Sequence, residues 1–231
     1  MNIALLLSGG TGTRLGAELP KQYITVNGRP LISYAMERLS SHREIDALHI
    51  VADPAWQERI EEWLLLYDPE RKFRGFSGPG ENRQLSVWNG LVDIRAYARE
   101  DDRVFIHDAA RPFLSDRLIT ACLDAADGHD GVLPVLPMKD TVYASNDGKT
   151  VDSLLKREEI FAGQAPEVFV FGKYYRANEC LLPEKIYKIN GSTEPAIMAG
   201  MDIVMIPGEE RNFKITTGAD LERFQEIVKG R

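Results

Sequence analysis

The 231-residue chain is 44 % hydrophobic and 27 % charged, an ordinary balance for a globular protein with one full core. A formal charge of −7 argues against nucleic acid as the principal partner, yet leaves room for a local cationic pocket for a small anion. The opening apolar run is five residues with no basic segment before it, which reads as neither signal peptide nor membrane span and points to a cytoplasmic protein with no membrane partner.

That run, Ile3-Ala4-Leu5-Leu6-Leu7, reads as a buried parallel strand, and it opens into Ser8-Gly9-Gly10-Thr11-Gly12-Thr13-Arg14-Leu15-Gly16. Four glycines within eight residues let backbone N–H groups approach an anion, and Arg14 and Lys21 supply fixed positive charge beside them. The loop is not a P-loop, because Gly12 is followed by Thr13-Arg14 rather than Lys-Ser/Thr. It is a poor dinucleotide fingerprint too, since Leu15 stands where the third glycine belongs and Pro20 interrupts any helix. A tight strand-to-helix turn and a phosphate cradle both fit the glycines, and the two cations favour the cradle.

Tyr23 to Val26 predicts a short strand ended by an Asn27-Gly28 turn, with Pro30 opening a helix through about Leu39. Ala47 to Ala52 is a second strand, and Pro54 to Leu66 a helix whose Trp56 and Trp63 read as core. Lys72 to Ser77, a Gly78-Pro79-Gly80 turn, and a helix from Arg83 to Ala98 follow. Arg103 to Ile106 is a fourth strand leading into the densest polar cluster of the chain, His107-Asp108-Ala109-Ala110-Arg111-Pro112. Strands alternating with helices of this length predict an α/β fold with a mainly parallel sheet, and ligands of such sheets sit beyond the carboxyl ends of strands. The glycine loop and His107-Asp108 both fall at such ends.

Ser115 caps a helix to about Ala126, and Gly131 to Leu136 is a fifth strand. From 139 to 155 the rhythm breaks: Thr141 to Tyr143 and Thr150-Val151 flank Ser145-Asn146-Asp147-Gly148, a hairpin signal read as a projecting arm for dimerisation or as a flap on its own subunit. A helix near Gly172 to Leu181, a strand from Asp202 to Ile206 and a terminal helix from about Asp220 complete the chain. Cys122 and Cys180 lie far apart with no metal-ligand spacing and read as buried thiols.

Taken together, Gly9 to Arg14, Pro20 to Tyr23, Arg83 with Ser86, His107 to Pro112, Lys139 to Thr141, Arg157, Gln164 to Pro166 and Asn212 to Lys214 resemble the cytidylyltransferases that activate sugar-alcohol phosphates. That group includes the 2-C-methyl-D-erythritol 4-phosphate and ribitol 5-phosphate enzymes. The resemblance covers nearly the whole chain. It implies one nucleotidyltransferase domain over 1–231, a three-layer Rossmann-like fold with a projecting β-arm, and a homodimer. The reaction it implies transfers CMP from CTP to a sugar-alcohol phosphate and releases pyrophosphate, with Mg²⁺ as cofactor. In it, Ser8, Gly9, Gly10, Thr11, Gly12, Thr13, Arg83 and Ser86 bind the nucleotide, while Arg14, Lys21, Arg157 and Lys214 form the catalytic set. Asp108 holds the metal; Arg157, Thr141 and Lys214 grip the acceptor.

Two departures bear on the acceptor. Ala165 replaces a threonine usual in the family, and Asn190-Gly191-Ser192-Thr193-Glu194-Pro195 replaces a Thr-Asp-Asp/Glu segment. 2-C-methyl-D-erythritol 4-phosphate ranks first as acceptor and ribitol 5-phosphate second. A nucleotide-binding protein without turnover is the competing class.

Overall fold

In β1 (Asn2–Leu7), side chains alternate between the two faces of the sheet. Ala4 and Leu6 enter one core and Ile3 and Leu5 the other, all fully buried. A strand apolar on both faces must be covered on both, and the computed structural model, which describes residues 1–10 and 19–230, shows helices on each side.

The following strands are β2 (Ala47–Val51), β3 (Phe73–Ser77), β4 (Arg103–Asp108) and β5 (Gly131–Pro137). After the arm come β6 (Phe161–Gly163), β7 (Glu167–Val170) and β8 (Ile203–Pro207). β1 lies between β2 and β4, parallel to both, and β3 extends the sheet beside β2. β7 runs antiparallel between β4 and β5, β6 pairs antiparallel with the end of β5, and β8 pairs parallel with β5.

On one face α1 (Leu31–Ser41), α2 (Pro54–Tyr67) and α4 (Asp116–Ala125) bury Met36, Ile60, Leu118 and Cys122 against the sheet. On the other, α3 (Arg83–Ile94), α5 (Phe171–Glu179) and α6 (Thr193–Met198) bury Leu91, Tyr174 and Ala196. The terminal α7 (Gly218–Lys229) places Phe224 on Leu31, Phe113 and Ile215. Asp53, Asn82 and Ser115 cap α2, α3 and α4, each accepting a hydrogen bond from a first-turn backbone N–H. The expected α/β class and mainly parallel sheet are therefore observed.

Several local expectations change. Tyr23, expected to open a strand, instead ends a 3-10 turn (Lys21–Tyr23), as its N–H closes on Pro20 O and its ring stacks on Trp56 at 4.2 Å. The remaining pair, Thr25–Val26 with Arg29–Pro30, folds about Asn27 and Gly28, whose φ of 52° and 77° belong to the two-residue turn read from the sequence. Pro30 is the N-cap of α1, not its first residue. α3 stops at Ile94, because Ala96 and Tyr97 take tighter turn bonds to Asp93 and Ile94.

The arm is a hairpin, but its paired residues are Tyr143–Ala144 and Ser153–Leu154. Thr150 is held in the turn by Asp147, which accepts from Lys149 N–H and Thr150 N–H, so Thr150-Val151 is not strand. β6 and β7 were not expected, since Gly163 and Pro166 break the strand pattern there. Cys122 is buried, and burial pushes its thiol up to about 12, whereas Cys180, at the C-cap of α5, is exposed and corrects the expectation for that residue.

Candidate active site

The carboxyl ends of β1 and β4 face a cavity of about 340 Å³. Gly9 and Gly10 wall it from β1, Lys21 and Gln22 from the 3-10 turn, Gly80 to Arg83 and Ser86 from the start of α3, Asp108 and Ala110 from β4, and Lys214 from the segment before α7. Chain-distant residues converge here because β1 and β4 are adjacent in the sheet and end at the same level, Leu7 opposite Asp108.

The described part of the glycine loop is tied down from behind. Gln22 Nε2 donates to Ser8 O at 2.6 Å and to Gly10 O at 2.8 Å, while Ser8 Oγ donates to Tyr23 OH at 3.0 Å. Gly9 has to be glycine: a Cβ there would lie 2.4 Å from Pro79 Cβ. Across the cavity, Gly80 N–H donates to Ser86 Oγ at 3.0 Å, and Ser86 Oγ donates to Asn82 O at 3.0 Å.

Asp108 is the electrostatic centre. Its Oδ1 accepts from Arg83 Nε at 3.2 Å, its Oδ2 faces Lys214 Nζ at 2.9 Å, and Arg111 Nε stands 3.7 Å away. Burial opposes ionisation, but Arg83, Lys214 and Arg111 outweigh it and hold the carboxyl well below the usual carboxylate range. Arg111 is fixed from behind by Asn212 O at 2.6 Å, and Asn212 Nδ2 donates to Ala165 O at 2.6 Å. Burial lowers the Arg111 guanidinium against the pull of Asp108. His107 is fully buried, with Nε2 bonded to Arg111 O at 3.0 Å, and burial pushes its imidazole down to about 4. It serves as a buried structural group that ties the end of β4 to the Arg111 backbone.

Of the residues named from the sequence, the cavity gathers Gly9, Gly10, Lys21, Arg83, Ser86, Asp108 and Lys214. Ser8 is buried against Tyr23 and supports the loop instead of lining the cavity. Thr11, Gly12, Thr13 and Arg14 lie outside the described residues. Thr141 on the arm and Arg157 just after it are exposed and do not line this cavity within the same chain; Arg157 Nη1 donates to Lys139 O at 3.2 Å.

One residue of the cluster was missed. Glu167 opens β7 with Oε2 3.8 Å from Arg83 Nη2, and Ser192 Oγ accepts from Arg83 Nη1. The available signal was a lone carboxylate at the head of an apolar strand, Glu167-Val168-Phe169-Val170, which Pro166 obscured.

Residues 2–230 match the family described as IspD: 2-C-methyl-D-erythritol 4-phosphate cytidylyltransferase. The chain belongs to this family. It is 34 % identical over 234 residues to the 2-C-methyl-D-erythritol 4-phosphate cytidylyltransferase of Ralstonia nicotianae, covering 98 % of this chain and 91 % of that protein. It is 36 % identical over 228 residues to the bifunctional enzyme IspD/IspF of Granulibacter bethesdensis, covering 97 % of this chain. It spans only 56 % of that relative's length, about half. Among solved structures, 4-diphosphocytidyl-2C-methyl-D-erythritol synthase from Anaerococcus prevotii superposes with a TM-score of 0.83 at 26 % identity, covering 100 % of this chain and 96 % of that one. The three-layer arrangement is thus the fold of this cytidylyltransferase family.

Proposed function

We propose that the chain is a CTP-dependent cytidylyltransferase that transfers CMP to 2-C-methyl-D-erythritol 4-phosphate and releases pyrophosphate. The observation that carries the reading is the convergence of Lys21, Arg83 and Lys214 with Gly9 and Gly10 about Asp108 in one cavity, in a chain matching the family over residues 2–230. An acceptor phosphate oxygen bonds to the α-phosphorus of CTP as the bond from that phosphorus to the bridging oxygen of the leaving pyrophosphate breaks. The acceptor is already an anion, so the site needs no strong general base; it must align two anions and neutralise the charge that accumulates at the α-phosphorus.

In this reading Gly9, Gly10, Arg83 and Ser86 hold the nucleotide, Lys21 and Arg14 neutralise the triphosphate, and Lys214 faces the reacting phosphates. Asp108 suits Mg²⁺, as a carboxylate lining an anion pocket: that ion is commonly bound through one or two carboxylates plus substrate phosphates. When bound, it supplies charge neutralisation at the phosphate oxygens. Lys214 and Arg83 face Asp108 in the described state, and a bound triphosphate competes for Lys214, which opens one carboxylate oxygen.

Thr141 on the arm and Arg157 just after it do not line their own cavity, and the arm exposes Tyr143, Val151 and Leu154 at 57 %, 67 % and 64 %. A two-stranded arm that exposes such apolar side chains needs a surface to pack on. We assign that surface to a second copy in a homodimer, whose acceptor site Thr141 and Arg157 complete. No helix among the described residues is long and apolar enough to cross a membrane, and a reaction between small soluble phosphates fits a cytoplasmic setting. Pyrophosphate release from CTP and Mg²⁺ is the test, with 2-C-methyl-D-erythritol 4-phosphate and ribitol 5-phosphate as parallel acceptors. Turnover favouring the first supports the assignment. Preference for ribitol 5-phosphate reassigns the acceptor, and CTP binding without turnover on either leaves a nucleotide-binding protein.

A further inference from the structure

Arg83 is held on three sides. Its Nε donates to Asp108 Oδ1 at 3.2 Å, its Nη1 to Ser192 Oγ, and its Nη2 points to Glu167 Oε2 at 3.8 Å. The remaining face lines the cavity, and the side chain keeps 32 % of its surface exposed. Glu167 itself keeps 12 % of its side-chain surface and receives Thr193 Oγ1 at 3.4 Å, while its Oε2 makes no hydrogen bond. A buried carboxylate oxygen without a donor is costly unless a charge compensates it, and Arg83 is the cation facing it.

We propose that Glu167 is the positioning residue of the phosphate site and acts through Arg83. The proposal rests on the transferase reading above. Asp108 is the other carboxylate holding Arg83, and it is also the one that must be shared with Lys214 and Arg111. If Asp108 alone anchored Arg83, a bound triphosphate would pull the guanidinium out of the wall onto the anion. Glu167 provides a second anchor that does not line the cavity, so a bound anion does not compete with it directly. It keeps the guanidinium plane fixed and offsets part of its charge, so that binding strength is restrained while the transition state, where charge accumulates, still meets a cation in place.

This role predicts opposite effects on binding and turnover, which a merely structural contact does not. Glu167→Gln keeps shape and removes charge. The pocket becomes more positive, so inorganic tripolyphosphate and CTP should bind about three- to ten-fold tighter by calorimetry, while kcat falls about ten-fold or more because Arg83 is no longer fixed. In an Arg83→Gln background the same change should alter kcat by less than about two-fold, since a residue acting through Arg83 has nothing left to position, while the charge effect on binding remains. Thermal melting of all variants gives the folded fraction. Unchanged or weaker tripolyphosphate binding in Glu167→Gln overturns the proposal, and so does a turnover loss that persists in full in the Arg83→Gln background. Should the wild type bind tripolyphosphate and turn over no acceptor, the transferase reading falls; the binding comparison still decides the role of Glu167.

Discussion

At Asp108, the structure changes what a substitution should do. A lone carboxylate at a strand end could be removed with little effect on the fold, but Asp108 lies among Arg83, Arg111 and Lys214. Asp108→Asn leaves these like charges together with only Glu167 to offset them. We expect turnover to fall at least about 100-fold and stability by about 2 kcal/mol. The stability cost stays below that of a fully buried pair because Lys214 and Arg83 keep 34 % and 32 % of their surfaces and are screened by solvent. Added pyrophosphate should recover part of the lost stability by taking the place of the missing anion. Urea unfolding with and without pyrophosphate checks this, and a variant as stable as the wild type would mean that the three cations do not depend on Asp108.

The arm raises the question of which chain Thr141 and Arg157 serve. Thr141 and Arg157 are exposed and stand apart from the cavity of their own chain, so a shared site calls for complementation. Lys21→Ala and Arg157→Ala chains, each inactive alone, should regain activity when co-expressed. One class of site in the mixed dimer then combines the intact cavity of one chain with the intact arm of the other. About a quarter of the native sites can be whole in a randomly mixed population, so roughly a quarter of wild-type activity is the ceiling. Activity that stays at the level of the single variants, in a preparation shown to contain mixed dimers, would place Arg157 in service of its own chain.

Over the whole molecule, two buried histidines set a pH dependence of folding. His49 lies at 3 % exposure between Ser77 Oγ at 2.8 Å and Tyr97 OH at 3.2 Å, and burial lowers its pKa against the influence of Asp93. His107 is lowered further, to about 4. A folded pKa below the unfolded value means that the unfolded chain takes up protons first as the pH falls. The stability these groups contribute is therefore complete above about pH 6.5 and is lost as the pH drops toward 4. For His107 the full loss is about 3 kcal/mol, of which about 2 is gone at pH 5, and His49 adds in the same direction. Asp108, whose carboxyl is lowered in the folded chain, contributes in the same sense as the histidines but only as the pH falls to the ordinary carboxylate value and below, where the unfolded carboxyl takes up its proton. Glu167, raised by burial, acts in the opposite sense, at pH values above the ordinary carboxylate one. Urea unfolding at pH 7.5 and 5 should show the drop, and His107→Gln should flatten it. A slope unchanged by that substitution would remove His107 from the account.

The layers of the fold and most of the cavity wall were legible in the sequence, because they depend on local pattern. Ile3 to Leu7 and Val104 to Ile106 alternate between two cores, Ser115 caps the helix that follows it, and the Gly9-Gly10 and His107-Asp108 motifs sit where parallel strands end. Motif order also carried the family, since membership depends on residues spread over positions 2–230. What the sequence could not determine depends on contacts between distant segments. Ser8 turned out to support the loop because Tyr23 folds back on it, and the arm's strands moved because Asp147 draws Thr150 into the turn. Glu167 joined the cluster because β7 enters the sheet antiparallel beside β4, setting Glu167 opposite Ile106, two residues before Asp108. A local pattern specifies which face of an element is apolar; only the pairing of strands far apart in the chain decides which charged side chains become neighbours in a buried site.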